Sequence, residues 1–406
     1  MTTRASTKSN TDFFLLTVVL LLTCIGILMV FDASYVHALQ VHISPFKFVR
    51  QQALSAILGT AVMLVVMRIP VRKWETAALP LIMITVVGLI AVFIPHIGQE
   101  IKGARRWVLH VQPSELAKLA IVLYVARLCA GRPKIMKDFV GGPLIPLLVL
   151  AVLAFLIERE PDLGTCLVVV GAGLGALFFA GMRISHFFAV GAIACALILC
   201  VVMLKSGSHA SPGYRGARLQ VFLHPDRNHT DEGYQVYHSM IALGTGGIGG
   251  LGVGNGIQKY YLPEAHTDFI FATVAEEGGL IGSISVLALL CLLVTRGLHI
   301  ATLTKDPFAA ILAGGISAGF GVQALLNIGV VTSSVPATGV PLPFISFGGS
   351  SLFVSLVCVG ILLSIYRYSD RDDGRAARED AAPERDFDRR WNRGTTLSRP
   401  EYGQKP

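Results

Sequence analysis

Apolar runs of about 15 to 25 residues recur along the chain, and this feature restricts its fold most strongly. About 20 apolar residues are enough for a helix to cross the hydrocarbon core of a bilayer. Hydrophobic residues make up 53% of the 406 residues and charged residues only 15%. This composition excludes an ordinary soluble domain and gives no indication of nucleic-acid binding. The sequence predicts an all-α, polytopic integral membrane protein.

We predict ten membrane helices. An even number puts both termini on the same side of the membrane, and the distribution of Lys and Arg indicates that this side is the cytoplasm. The predicted spans are 13–31, 51–68, 75–94, 115–130, 143–157, 163–181, 185–204, 268–295, 307–330 and 349–367. This orientation puts 22 of the 34 Lys and Arg residues on the cytoplasmic side, as the positive-inside rule expects.

Three parts follow from these spans: a cytoplasmic segment 1–12, a membrane domain 13–367 and a cytoplasmic tail 368–406. The tail is rich in Arg, Asp and Glu and poor in apolar residues, which predicts disorder. A long outer loop, about 205–267, joins helices 7 and 8. Loops of this length in compact proteins are usually functional, so we expect any chemistry on the outer face.

The polar segment Leu262–Asp268 runs directly into the eighth apolar span. An ionisable residue such as Asp268 at a membrane edge is costly unless it has partners or a function. Thr267 or Asp268 could cap the helix that follows, and Asp268 could also act as a general base. His266 has no companion at metal-ligand spacing, so capping or hydrogen bonding is the simpler interpretation of that residue.

Two pairs of arginines lie on the predicted outer face, although most Lys and Arg residues lie on the cytoplasmic side. They are Arg105 with Arg106 and Arg215 with Arg218. The planar guanidinium fork suits phosphate and pyrophosphate, which favours an anionic, lipid-linked ligand. Contact with lipid head groups or pairing with nearby acids would explain the same residues.

The segment Gln112–Lys118 combines a helix start with two opposite charges. Pro113 or Ser114 can begin a helix, and Glu115 and Lys118 lie three residues apart on one face. A local ion pair at the membrane entry explains them, and so does a cation that faces the outer cavity.

Other motifs have structural explanations. Asp162 is placed to cap the helix after it, and Gln323 and Asn327 suit interhelical hydrogen bonds. The run 244–256 contains eight glycines but follows no strand, so we interpret it as bending backbone near a ligand rather than as a nucleotide loop.

Taken together, these stretches resemble the SEDS family (shape, elongation, division and sporulation). The matching stretches are Gly103–Trp107, Gln112–Lys118, Glu160–Thr165, Tyr260–Phe271 with Glu276-Glu277, Asn327–Val331 and Pro341–Ser351. The resemblance is closest to the division members, because elongation members more often carry a basic residue where Ala265 stands.

The resemblance implies a ten-helix peptidoglycan glycosyltransferase that acts on lipid II at the outer face of the bacterial inner membrane. It places the catalytic role on Asp268 and the cavity residues on Trp107, Glu115, Lys118, Arg105 and Arg106. The implied partner is a class B penicillin-binding protein, a transpeptidase of the septal division machinery.

With the lipid II substrate that the resemblance implies, Asp268 would take the proton of the acceptor's sugar 4-hydroxyl while undecaprenyl pyrophosphate leaves the donor glycan. A divalent cation such as magnesium could share the pyrophosphate's charge, although the sequence has no dedicated ligand set. The alternatives are an elongation polymerase, a transporter that flips lipid II, and a non-catalytic division scaffold.

Overall fold

The computed structural model describes residues 11–101, 104–108, 111–132, 134–193, 196, 232–263 and 265–380. This part of the chain is mostly helical, as predicted. The first seven helices are α1 (Phe13–Gln40), α2 (Phe46–Val66), α3 (Val71–Ala91), α4 (Pro113–Cys129), α5 (Leu144–Arg159), α6 (Leu163–Phe179) and α7 (Ile184–Ile193). The last four are α8 (Glu232–Thr245), α9 (Ile270–Leu303), α10 (Pro307–Val331) and α11 (Gly349–Asp380).

Six of the described helices are long and apolar enough to cross a membrane, namely α1, α2, α3, α9, α10 and α11. Helices α4, α5 and α6 have 16 or 17 residues and are shorter than the usual span. The protein is therefore a multi-pass membrane protein, while the number of ten spans stays a prediction.

Helix α10 lies at the centre of the molecule and packs against α4, α6 and α9. Glycines on α10 allow this close approach. A Cβ at Gly315 would meet the side chains of Val122 and Ala176, and one at Gly314 would meet the ring of Phe179. Small residues bring membrane helices together because packing, rather than a hydrophobic driving force, holds them in lipid.

Several predicted boundaries are wrong. Helix α1 continues to Gln40, so the predicted outer segment 32–50 is mostly helical. Helix α11 continues to Asp380, so the tail that we expected to be disordered from 368 is helical over its first part. Arg, Ala and Glu are good helix formers and extend a helix that packing has already started. Residues 381–406 lie outside the described residues.

Two short strands, β1 (Gly98–Ile101) and β2 (Ala104–Val108), form an antiparallel hairpin that we did not predict. It occupies the predicted outer loop 95–114 and carries Arg105, Arg106 and Trp107. Strands of four and five residues with charged side chains have little of the alternating pattern that identifies a strand in a sequence.

The glycine-rich run packs against a break in α9 rather than against a ligand cavity. Gly279, with φ +62°, interrupts the helix, and the amides of Leu251 and Gly252 bond to the carbonyls of Glu276 and Glu277 at 3.0 Å each. The amide of Leu280 donates in turn to the carbonyl of Gly247 at 2.9 Å. The run therefore supplies the backbone partners that the broken helix lacks.

Candidate functional site

A cavity of about 180 Å³ lies where four segments of the chain meet. These are the hairpin with the start of α4, the turn before α6, the residues before α9, and the loop between α10 and α11. The lining residues are Arg106, Trp107, Gln112, Glu115, Asp162, Thr165, Thr267, Asp268, Gly339, Pro341, Phe347, Gly348, Ser350 and Ser351. Five predicted site residues are among them: Arg106, Trp107, Glu115, Thr267 and Asp268.

Asp268 lines this cavity and is half-buried. The hydroxyl of Thr267 donates to its Oδ1 at 2.8 Å, and Asn327 holds its backbone oxygen at 2.7 Å. The N-cap position of α9 falls on Phe269, so the prediction that Thr267 or Asp268 occupies it is wrong. A carboxylate at the mouth of a cavity, with its backbone held, suits a general base.

The two arginines of the hairpin diverge, because successive residues of a strand point to opposite faces. Arg106 lines the cavity, and its guanidinium donates to the backbone oxygens of Glu160 and Pro161. Arg105 turns away and pairs with Glu100 across the hairpin at 3.2 Å, with both side chains about half exposed. Arg106 therefore supplies a cation to the cavity, while a role of Arg105 at the site stays a prediction.

Asp162 caps α6, as predicted, by accepting from the amide of Thr165 at 3.1 Å. Its second oxygen accepts from the Gln112 side chain at 3.1 Å and lies 4.0 Å from the Arg106 guanidinium. These bonds connect the hairpin, α4 and α6 into one wall of the cavity.

Glu160, in the turn before α6, is almost completely buried, and neither of its carboxylate oxygens has a hydrogen-bond partner among the described residues. Burial, reinforced by the charge of Asp162, raises the pKa of Glu160 to about 8, although Arg106 opposes the shift. Glu160 is therefore mostly neutral at pH 7, which leaves the charge of Arg106 available to the cavity.

Glu115 and Lys118 form the predicted ion pair, 2.7 Å long, on α4. Glu115 lines the main cavity, whereas Lys118 lines a smaller neighbouring one of about 30 Å³. Lys118 also donates to the Gln323 side chain at 3.2 Å. The Lys118 side chain contacts Glu115 of α4 and Gln323 of α10, and its role as a cation of the outer cavity stays a prediction.

His266 does not line the cavity and is buried among the rings of His37, Phe48 and Phe347. Its backbone oxygen accepts from the amide of Phe347 at 2.9 Å. The side chain joins the segment before α9 to the loop before α11, and a role of His266 toward substrate stays a prediction. Arg215 and Arg218, also predicted, lie outside the described residues.

The loop between α10 and α11 forms a wall of the cavity that we did not predict. Gly339, Pro341, Gly348, Ser350 and Ser351 line the cavity, and Ser350 and Ser351 carry hydroxyl donors. Gln323 and Asn327 bond to carbonyls of this loop, those of Pro341 and Val340, at 2.9 and 2.8 Å. The polar pair inside an apolar helix was the available signal, since such groups need partners.

Within the described residues, no group of three or more His, Cys, Asp or Glu side chains is arranged to hold a metal ion. Three carboxylates, those of Glu115, Asp162 and Asp268, line the main cavity. Hard divalent cations prefer such oxygen ligands, and magnesium commonly binds through one or two carboxylates together with substrate phosphates. The donor set therefore fits a cation that a phosphorylated substrate brings with it.

Comparison with known proteins gives one consistent family. The model of the FtsW, RodA and SpoVE family, described as "Cell cycle protein", matches residues 12–371. The probable peptidoglycan glycosyltransferase FtsW of Geobacter metallireducens is 41% identical over 359 residues, which cover 87% of this chain and 94% of the relative. Stage V sporulation protein E of Bacillus subtilis is 38% identical over 375 residues, covering 91% and 100%.

Two solved structures are similar to the whole fold. A chain from work described as "Structural coordination of polymerization and crosslinking by a peptidoglycan synthase complex" is 27% identical, with a TM-score of 0.72 over 88% of this chain and 98% of that chain. The rod shape determining protein RodA of Thermus thermophilus is 26% identical, with a TM-score of 0.63 over 88% and 97%.

Proposed function

The chain belongs to the cell cycle protein family of FtsW, RodA and SpoVE, the SEDS family, and we propose that it is a peptidoglycan glycosyltransferase that polymerises lipid II during cell division. The observation that carries this proposal is the cavity that holds both Asp268 and Arg106. A carboxylate and a guanidinium in one cavity match a reaction in which a hydroxyl loses a proton and a pyrophosphate leaves.

In this mechanism Asp268 accepts the proton of the acceptor's 4-hydroxyl. The oxygen attacks the anomeric carbon of the donor from the face opposite the α-linked pyrophosphate, which gives a β linkage. The carbon–oxygen bond to the pyrophosphate breaks, and undecaprenyl pyrophosphate leaves with the electron pair. Arg106 stabilises the leaving charge, because charged donors aimed at developing charge lower the barrier.

Glu115 and the serines of the opposite wall, Ser350 and Ser351, can accept from and donate to the sugar hydroxyls. Lys118 pairs with Glu115 and orients that carboxylate. Lipid tails reach the cavity laterally through the bilayer, which agrees with a site between membrane helices.

Asp268 or Glu115 would hold in part a magnesium ion bound to the pyrophosphate, and such an ion would further stabilise the charge of the leaving group. Polymerisation measured with magnesium and with EDTA tests this part, and equal rates would remove the cation from the proposal.

The division role rests on the FtsW relatives at 41 and 40% identity. The peptidoglycan synthase complex among the similar structures supports a class B penicillin-binding protein as the partner. We place the protein in the bacterial inner membrane, at the division septum, with the catalytic cavity on the outer face.

The decisive experiment is Asp268→Asn in the purified full chain, supplied with lipid II and analysed as glycan on a gel. Loss of a general base costs about 10²- to 10⁴-fold in rate. We therefore expect a folded variant with almost no polymer, while Asp138→Asn, an exposed aspartate away from the cavity, polymerises normally. Normal strands from a folded Asp268→Asn variant contradict the general-base role.

The same preparations, placed in vesicles, separate the competing functions. Movement of lipid II across the membrane without polymer favours a transporter. Normal assembly with the transpeptidase, together with no polymer from either the wild-type chain or the variant, favours a scaffold.

A further inference from the structure

A buried lysine outside the cavity joins three separate parts of the chain. Lys259 is 6% exposed, and its Nζ lies 2.6 Å from Oδ1 of Asp32 on α1 and 2.8 Å from Oε1 of Glu277 on α9. It also donates to the backbone oxygen of Gly254 at 3.0 Å. We name Lys259, Asp32 and Glu277 the buried triad.

The lysine of this triad is charged. Burial alone would lower the pKa of Lys259, but the hydrogen bonds and charges of Asp32 and Glu277 outweigh burial and leave that pKa above its usual value. Removing the ammonium would leave two buried carboxylates without their counter-charge, which is costly in a buried site.

Glu276 and Glu277 extend this network to the backbone. Glu277 accepts from the amides of Gly254 and Gly256 at 3.1 Å each. Glu276 accepts from the amides of Ile257 and Gln258 at 2.9 to 3.1 Å. The 3₁₀ turn Gln258–Tyr260, which precedes the catalytic segment, is therefore attached to one point on α9.

Glu277 and Asp268 lie at opposite ends of the first half of α9. The first half of α9, from Ile270 to the break at Gly279, is buried at every position from Ile270 to Glu277. At 1.5 Å per residue, the helix rises about 10 Å from Ile270, two residues after Asp268, to Glu277. The break at Gly279 separates this half from the second half of α9, so the contacts of the first half itself set its position.

We propose that the buried triad of Lys259, Asp32 and Glu277 is a positioning device for Asp268, acting through the first half of α9. This inference rests on the proposed function, in which Asp268 is the general base. Asn327 holds the Asp268 end of the half-helix, and the triad holds the other end against α1. A displacement of about 1 Å at a reacting group can cost about 10²-fold in rate, so the anchor matters for turnover even though it never touches substrate.

The kinetic test compares Lys259→Met with Lys259→Arg, Asp32→Asn and a control, Lys47→Met, which removes an exposed lysine of α2. We expect kcat for lipid II polymerisation to fall about 10- to 100-fold in Lys259→Met, with KM within about 2-fold of wild type. Lys259→Arg keeps the charge and recovers most of kcat. Asp32→Asn leaves Lys259 paired with Glu277, with no net charge in the pair. We therefore expect the Asp32→Asn protein to fold even if Lys259→Met does not, and we expect its kcat to fall as well.

A structural role alone predicts a different result. Unfolding temperature and folded yield would then fall while kcat per folded molecule stayed constant, and this result would overturn the proposal. Equal kcat values in Asp32→Asn and Lys47→Met would also overturn the proposal.

Hydrogen exchange gives a readout that does not depend on activity. We expect the amides of 266–274 to exchange faster in Lys259→Met and Asp32→Asn than in wild type, and at the wild-type rate in Lys47→Met. If the wild-type chain makes no polymer but exchange changes in this way, the proposed function fails while the anchoring of the half-helix stands. If polymerisation is normal in wild type and exchange is unchanged in both variants, the positioning proposal is overturned.

Discussion

The side-chain amide of Asn327 donates to the backbone oxygen of Asp268 at 2.7 Å and to the backbone oxygen of Val340 at 2.8 Å. One buried residue of α10 therefore joins the segment that carries the carboxylate to the loop that forms the opposite wall. We expect the shape of the cavity to depend on this amide, because it links the segment that carries Asp268 to the loop between α10 and α11.

Asn327→Ala tests this dependence. The variant leaves two carbonyls without their donor, and each unsatisfied buried group costs about 1–3 kcal/mol. We expect a lower unfolding temperature in detergent and a loss of polymerisation larger than the loss of folded protein. Asn255→Ala, which removes an exposed amide bonded to the oxygen of Leu251, should change neither. Equal behaviour of the two variants would show that Asn327 does not hold the cavity.

Comparing Lys118→Met with Arg105→Met distinguishes the contribution of a buried ion pair from that of an exposed one. Glu115 is 3% exposed, so removing its partner leaves a buried carboxylate and costs about 3–5 kcal/mol. Arg105→Met removes an exposed pair with Glu100, where such pairs contribute about 0–1 kcal/mol. Thermal unfolding in the same detergent should rank the two variants in this order, and Glu115→Gln combined with Lys118→Met should recover part of the loss.

Glu160 predicts a pH dependence of stability. Its pKa of about 8 in the folded protein exceeds its ordinary value of 4.5, so folding takes up a proton between these values. This contribution to stability is complete below pH 4.5 and is lost as pH rises through about 8. We expect Glu160→Gln, which is permanently neutral, to unfold at similar temperatures at pH 6 and 9, whereas wild type loses more stability over the same interval. A parallel loss in both proteins would assign the effect to other groups.

Arg106→Lys tests geometry at constant charge. The guanidinium of Arg106 donates to the carbonyls of both Glu160 and Pro161 while it faces the cavity, and a lysine cannot reproduce the planar fork. We expect polymerisation to fall about 10-fold or more, since a charge-assisted hydrogen bond contributes about 1.5–3 kcal/mol. Initial rates over a lipid II series give this value. Arg105→Lys, on the other face of the hairpin, should retain the wild-type rate.

Local sequence patterns were sufficient where the relevant interaction is local. Asp162 caps α6 and Glu115 pairs with Lys118, because a cap and an i,i+3 pair involve residues within one helical turn. The apolar runs likewise predicted a helical membrane protein, since hydrocarbon requires every backbone group to be satisfied within the segment. The matching stretches, read together, identified the family and placed Asp268 at the site.

Only the tertiary structure decided which polar side chains meet. Arg105 and Arg106 are neighbours in the chain, yet one lines the cavity and the other pairs with Glu100 on the far side of the hairpin. Lys259 and Asp32 are 227 positions apart and form a contact of 2.6 Å. The sequence by itself determined the class of fold, the family and the local pairs. The cavity walls and the buried triad depend on long-range packing between α1, α9 and α10, which no periodicity records, because a buried charge selects its partner by proximity in three dimensions.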